Sequence, residues 1–75
     1  MPEDINDSKD IGAMVRHARE EQGLTQDDLA GLTGMGRRFI SELENGKETA
    51  QLMKVLLVLS ALGVGLYATS KWWKK

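Results

Sequence analysis

In the segment GMGRRFISELENGK, Gly34 to Lys47, two arginines, a serine, a glutamate and an asparagine recur at a spacing that suits one face of a helix. At about 100° per residue, with Arg37 at 0°, Ser41 falls near 40°, Asn45 near 80°, Arg38 near 100° and Glu42 near 140°. Several of these side chains hydrogen-bond to base edges: arginine to guanine, serine to several bases, glutamate to cytosine. Phe39 falls at about 200°, Leu43 at about 240° and Ile40 at about 300°, so the helix divides into a polar arc and an apolar arc. Lys47 lies just past the far end, where a nucleic-acid phosphate would pass. Phosphate contacts position such a helix, and base contacts give it sequence preference. The same arc also suits an ordinary solvated surface helix, so its surroundings have to decide between the two.

Other chemistry is poorly represented. His17 and Glu21 sit at i and i+4, but two ligands seldom make a metal site, and His17 reads as a surface residue. Cysteine is absent, and no Ser-His-Asp set or phosphate-cradling glycine loop is found. The expectation is a non-enzyme with no catalytic residue, metal or cofactor.

The polar arc needs elements to hold it. Ile11, Met14, Val15, Ala18 and Gln22 share one side of a first helix, with Ser8 as its expected N-cap and Gly23 as its end. LTQDDLA follows. Thr25 and Asp28 have capping-box spacing, and Leu24 and Leu29 are placed as a hydrophobic staple. This second helix is short, about residues 26–33, and Gly34 stops it. The third begins two residues later and runs to Asn45, with Gly46 just beyond. Two short helices joined by a tight glycine-containing turn are a helix-turn-helix pattern.

Glu44 falls at about 340° on the same wheel, at the edge of the buried arc, and a carboxylate there needs a partner. Arg19 borders the apolar stripe of the first helix, so an Arg19–Glu44 ion pair is expected. A fourth helix is expected from a Thr49 cap to Leu62. Leu52, Val55, Leu56, Leu59 and Leu62 mark one face, and Met53, Leu57, Val58 and Ala61 spread around the rest. A helix apolar on nearly every side is covered on more than one. Residues 64–69 then alternate as VGLYAT, which suggests a strand without a partner in its own chain. Both features point to a homodimer through Leu57, Val58, Ala61, Val64, Leu66, Tyr67 and Ala68. The expected layout is a flexible tail at 1–8, a DNA-binding domain at 9–63, a dimerising strand at 64–70 and a C-terminal tail at 71–75.

Composition sets the bounds. Seventy-five residues make one small domain, and 41% apolar content is enough for a core. Residues 1–28 carry eight acids against three bases, and residues 29–75 carry seven bases against three acids. The second part is therefore the side to meet an anionic partner, while a formal net charge of -1 argues against indiscriminate nucleic-acid binding. The start, MPEDINDSKD, lacks the apolar region of a secretory signal. Residues 55–70 are uncharged but fall short of the roughly 20 residues of a spanning helix. A cytoplasmic, nucleoid-associated protein with no membrane partner is expected.

GLTQDDLAGLTGMGRRFISELENGK closely resembles the XRE family of helix-turn-helix regulators, the group of the lambdoid phage repressors and Cro. The resemblance covers residues 11–63, on GLTQ-x-x-LA, the Gly34 turn, IS-x-LE-x-GK and ALG. From Gly36 to Leu66 the chain looks most like the HipB-like antitoxin branch. The resemblance implies an all-α, lambda-repressor-like bundle of four helices with a short C-terminal strand pairing across a homodimer. It implies binding to double-stranded operator DNA, autorepression and a HipA-like kinase toxin as partner. By position, Thr25, Gln26, Asn45 and Lys47 would meet phosphates, and Arg37, Arg38, Ser41 and Glu42 would face bases. The chain departs from the family pattern at Gly36, where serine or threonine is common, and at Phe39, which is read as packing. Trp72 and Trp73 in KWWKK are candidates for docking a partner protein. A free-standing phage-type repressor, and a protein-interaction module without specific DNA binding, are the alternatives.

Overall fold

The structure is a computed structural model that describes residues 4–68 and 70–72. It contains α1 (Ser8–Glu21), α2 (Gln26–Thr33), α3 (Arg37–Glu44) and α4 (Leu52–Ala61). Each helix contributes to one core, in which Val15, Leu29, Ile40, Leu43, Val55, Val58, Leu59 and Leu62 are buried. Burying each such side chain contributes about 1.5–3 kcal/mol, so α3 is held mainly by Ile40 and Leu43.

The helix ends are set by local chemistry. Asp7 caps α1 in place of the expected Ser8, its side chain accepting from the Asp10 N–H at 3.0 Å. Asn6 donates its backbone N–H to Asp10 at 2.9 Å, so residues just before the helix take part in its cap. Ser8 is freed for a longer reach, and its hydroxyl donates to the Gly46 carbonyl beyond α3 at 2.7 Å. At α2 both halves of the capping box form between Thr25 and Asp28. Gly34 then ends the helix with φ 70°, a left-handed conformation that a side chain would disfavour. Gly36 caps α3 without a side-chain bond.

Helix α4 starts later than the sequence suggests. Gln51 is its N-cap, with no side-chain bond, and Thr49 lies in the preceding turn. At the other end Gln22 reaches from behind α1, donating its side-chain amide to the Leu62 carbonyl at 2.8 Å. This satisfies a carbonyl that the end of α4 leaves without an intrahelical partner.

One expected dimer residue needs correction. Val58 is completely buried in the chain's own core, on the side shared with Val55, Leu59 and Leu62. It therefore cannot line a subunit contact, because an all-apolar helix reveals in sequence that it is covered but not which side faces inward. Within the single chain, and among the described residues, no strand forms: Val64 to Ala68 have no partner strand to pair with.

Candidate nucleic-acid interface

α1 crosses α3 at very short range, and glycine makes this possible. A Cβ on Gly12 would stand 2.5 Å from the Leu43 carbonyl oxygen and 2.7 Å from that of Glu44. At the same crossing Arg19 Nε donates to Glu44 Oε2 at 2.6 Å, and a terminal Arg19 nitrogen donates to Glu44 Oε1 at 3.0 Å. The pair is well shielded, with 11% of the Arg19 side chain and 3% of the Glu44 side chain exposed. A third Arg19 nitrogen donates to the Leu24 carbonyl at 2.8 Å. One guanidinium thus ties α1, the turn into α2 and the end of α3. The Glu44 hydrogen bond raises the Arg19 pKa still further against the opposing effect of burial. Glu44 also accepts from the Gln26 amide at 3.2 Å.

With α3 anchored on one side, its polar side chains face outward. Arg37 begins the helix, exposed, its Nε 3.5 Å from Asp27 Oδ1 on α2. Arg38 is the most open, with 91% of its side chain exposed and Nε 3.6 Å from Glu42 Oε1. Glu42 turns its other oxygen to Lys47 Nζ at 2.9 Å. That hydrogen bond, reinforced by the charges of Lys47 and Arg38, holds the Glu42 carboxyl below the usual glutamate range. Ser41 is half-buried and Asn45 exposed at the α3 C-cap. Phe39 is half-buried against the core, with Lys54 Nζ 5.7 Å from its ring centre.

The start of α2 lies beside this face. The Thr25 hydroxyl accepts the Asp28 N–H at 3.0 Å, and the Thr25 N–H donates to the Asp28 carboxylate at 2.9 Å. That backbone N–H, followed by the Thr25 hydroxyl, pulls the Asp28 carboxyl below its usual range. The first N–H groups of a helix have no intrahelical acceptor and suit an anion.

Thr25 and Gln26 thus lie at the N-cap and start of α2, Arg37, Arg38, Ser41 and Glu42 on α3, Asn45 at its C-cap and Lys47 two residues beyond. Sequence reasoning missed Asp27 on this surface, and it gave Glu42 a base-facing role without its pairings to Arg38 and Lys47. Periodicity puts Asp27 on a helix but cannot show that it stands opposite Arg37, a relation set by the angle between α2 and α3. It also missed Gly12, whose only signal is a glycine inside an otherwise regular helical pattern.

Away from this face, α4 and the following segment expose Leu57, Ala61, Leu66, Tyr67 and Ala68, while Val64 is half-buried against the core. Tyr67 is 85% exposed. Trp72 is exposed, with Lys71 Nζ 5.0 Å from its ring centre, and Trp73 lies outside the described residues. His17 Nε2 lies 4.0 Å from Glu21 Oε1 on the outer side of α1. Among the described residues no three metal-binding side chains converge, and no helix is long and apolar enough to cross a membrane.

The helix-turn-helix family profile matches residues 15–68. An uncharacterized HTH-type transcriptional regulator, y4mF of Sinorhizobium fredii, is 54% identical over 66 residues, covering 88% of this chain and 87% of the relative. Among solved structures, a chain of the HipA–HipB–O2–O3 complex superposes with a TM-score of 0.83 at 21% identity, over 93% of this chain and 99% of that one. The restriction-modification controller protein C.AhdI from Aeromonas hydrophila superposes with a TM-score of 0.69 at 29% identity, over 77% of this chain and 88% of that one.

Proposed function

This chain belongs to the XRE-type helix-turn-helix family of DNA-binding transcriptional regulators, and we propose that it works as a homodimeric operator-binding repressor that reads the major groove with α3. The observation that carries this reading is the outward polar face of α3. Arg37, Arg38 and Ser41 project from a helix pinned from behind by Ile40, Leu43 and the Arg19–Glu44 pair. Arg38, the most exposed, is suited to bidentate contact with guanine, and Ser41 and Glu42 to neighbouring bases.

The phosphate-facing roles fall to Thr25, Gln26, Asn45 and Lys47. Gln26 gives one amide N–H to Glu44 and keeps the other for a phosphate oxygen, so the buried pair also fixes the direction of a surface group. The exposed apolar residues Leu57, Ala61, Leu66, Tyr67 and Ala68 support a second copy as partner, with residues 64–68 pairing across the two-fold. Two-fold symmetry then calls for an inverted repeat with half-site centres about 34–36 Å apart, or a multiple of that spacing.

Service as the antitoxin and autorepressor of a HipA-like kinase toxin is the finer reading. It is supported by the likeness to a chain from a complex that contains HipA and by the exposed Trp72. Such a protein would act in the cytoplasm, with the nucleoid.

Selection from a random duplex library by the wild-type protein tests the function. Enrichment of an inverted repeat, together with a dimer in sedimentation, is the expected result. Enrichment of nothing would leave the chain a protein-interaction module and overturn the reading.

A further inference from the structure

We propose that Asp27 and Glu42 are specificity-determining residues, whose carboxylates engage the cations of the reading face so that a phosphate backbone alone binds weakly. The inference rests on the DNA-reading function above and adds an electrostatic filter to it. Each of the three cations on this face stands opposite an acid. Arg37 Nε is 3.5 Å from Asp27, Arg38 Nε is 3.6 Å from Glu42, and Lys47 Nζ is 2.9 Å from the other oxygen of Glu42. One carboxylate thus serves two cations from two directions.

Sequence-independent binding comes from cations that neutralise phosphates and release counterions, and each phosphate neutralised adds about 0.9 to the slope of log affinity against log salt. A cation already facing a carboxylate contributes less, because the carboxylate is itself repelled by the phosphates. The two arginine pairs, exposed and 3.5 and 3.6 Å long, are weak and open easily. A guanine edge, which offers two acceptors in the right plane, recovers what opening the pair costs. A bare backbone offers only diffuse charge. The filter therefore penalises random DNA more than the correct site, and it lets a chain of net charge -1 discriminate without a large positive field.

Asp27 is the cleaner of the two to test, since it lies outside the base-reading set. Glu42→Gln keeps an acceptor for Lys47 while removing the charge. The probes are a random-sequence duplex and a duplex enriched by the wild type. Asp27→Asn and Glu42→Gln, singly and together, are titrated against both at several salt concentrations, with thermal melts verifying that each variant is folded. The double variant is expected to bind random duplex about fivefold or more tighter, with a salt slope steeper by about 0.9 for each phosphate gained, and its preference for the enriched duplex falls. Unchanged affinity and slope on random duplex for Asp27→Asn and the double variant would overturn the filter while leaving the DNA-reading function intact. Failure of the wild type to enrich any sequence would overturn that function, and the filter with it.

Discussion

Arg19 in α1 holds Glu44 at the end of α3 through two parallel hydrogen bonds of 2.6 and 3.0 Å, almost out of reach of water. Each group makes one further bond: Arg19 donates to the Leu24 carbonyl, and Glu44 accepts from Gln26. Among the described residues no buried side-chain nitrogen or oxygen lacks a partner. The pair therefore serves as the mount on which α3 is fixed, linking the core to the surface proposed to face DNA.

Removing either member strands the other in a shielded site. Arg19→Ala and Glu44→Ala are each expected to cost about 3 kcal/mol, a large share of the stability of so small a domain. The double variant should lose less than the sum of the two, by about 1–3 kcal/mol. Urea denaturation of all four proteins measures this, and strict additivity would contradict the coupling.

Two glycines in helices should respond oppositely to the same substitution. Gly12→Ala drives a methyl group into the Leu43 and Glu44 carbonyls at the α1–α3 crossing and is expected to destabilise by about 1–3 kcal/mol. Gly31 in α2 has nothing within 4 Å of its would-be Cβ, and Gly31→Ala should stabilise by about 0.5–1 kcal/mol. Chemical denaturation gives both signs, and a stabilising Gly12→Ala would contradict the close crossing.

The α2 cap implies a response to acid. Asp28 titrates below its ordinary 3.8 in the folded chain because Thr25 donates to its charged form. The stabilisation is present in full above that ordinary value and is lost as pH falls through the depressed one. Glu42, held low by Lys47 and Arg38, adds a loss of the same sign below its ordinary 4.5. The melting temperature of Asp28→Asn should therefore fall less between pH 6 and about pH 3 than that of the wild type. Parallel acid limbs would contradict the assignment.

How much of this was legible in the sequence depended on whether the signal was local. The Thr25–Asp28 capping box and the glycine stops at Gly34 and Gly46 are written within a few residues, and they define α2 and α3 closely. The division of α3 into two arcs follows from its period, because Ile40 and Leu43 alone are buried on it. The face of α4 is less legible: with apolar residues all round, Val58 and Leu57 look alike in sequence, yet one is in the core and the other outside. Ser8 is a good cap residue by type, but its neighbour Asp7 takes that place and Ser8 bonds to Gly46 instead. Asp27 stands opposite Arg37 only because of how α2 packs against α3, which no local pattern encodes, whereas Glu42 faces Arg38 at the i,i+4 spacing of one helix.

Leu57, 56% exposed at the centre of the outer face of α4, tests the proposed dimer. Leu57→Glu should keep the monomer fold, since the side chain already meets solvent, and shift sedimentation from dimer to monomer. Affinity for the enriched inverted repeat should fall by about tenfold or more, as the two half-sites then bind separately. A Leu57→Glu protein that stays dimeric would contradict the assignment of this face.

The central claim is that α3 reads DNA through its exposed arginines, and Arg38→Ala tests it most directly. The variant removes a side chain 91% open to solvent, so the melting temperature should barely move. Fluorescence anisotropy at fixed salt, on the enriched duplex and a random one, should show a loss of about 1–3 kcal/mol of discrimination between them. Discrimination equal to that of the wild type would contradict the claim.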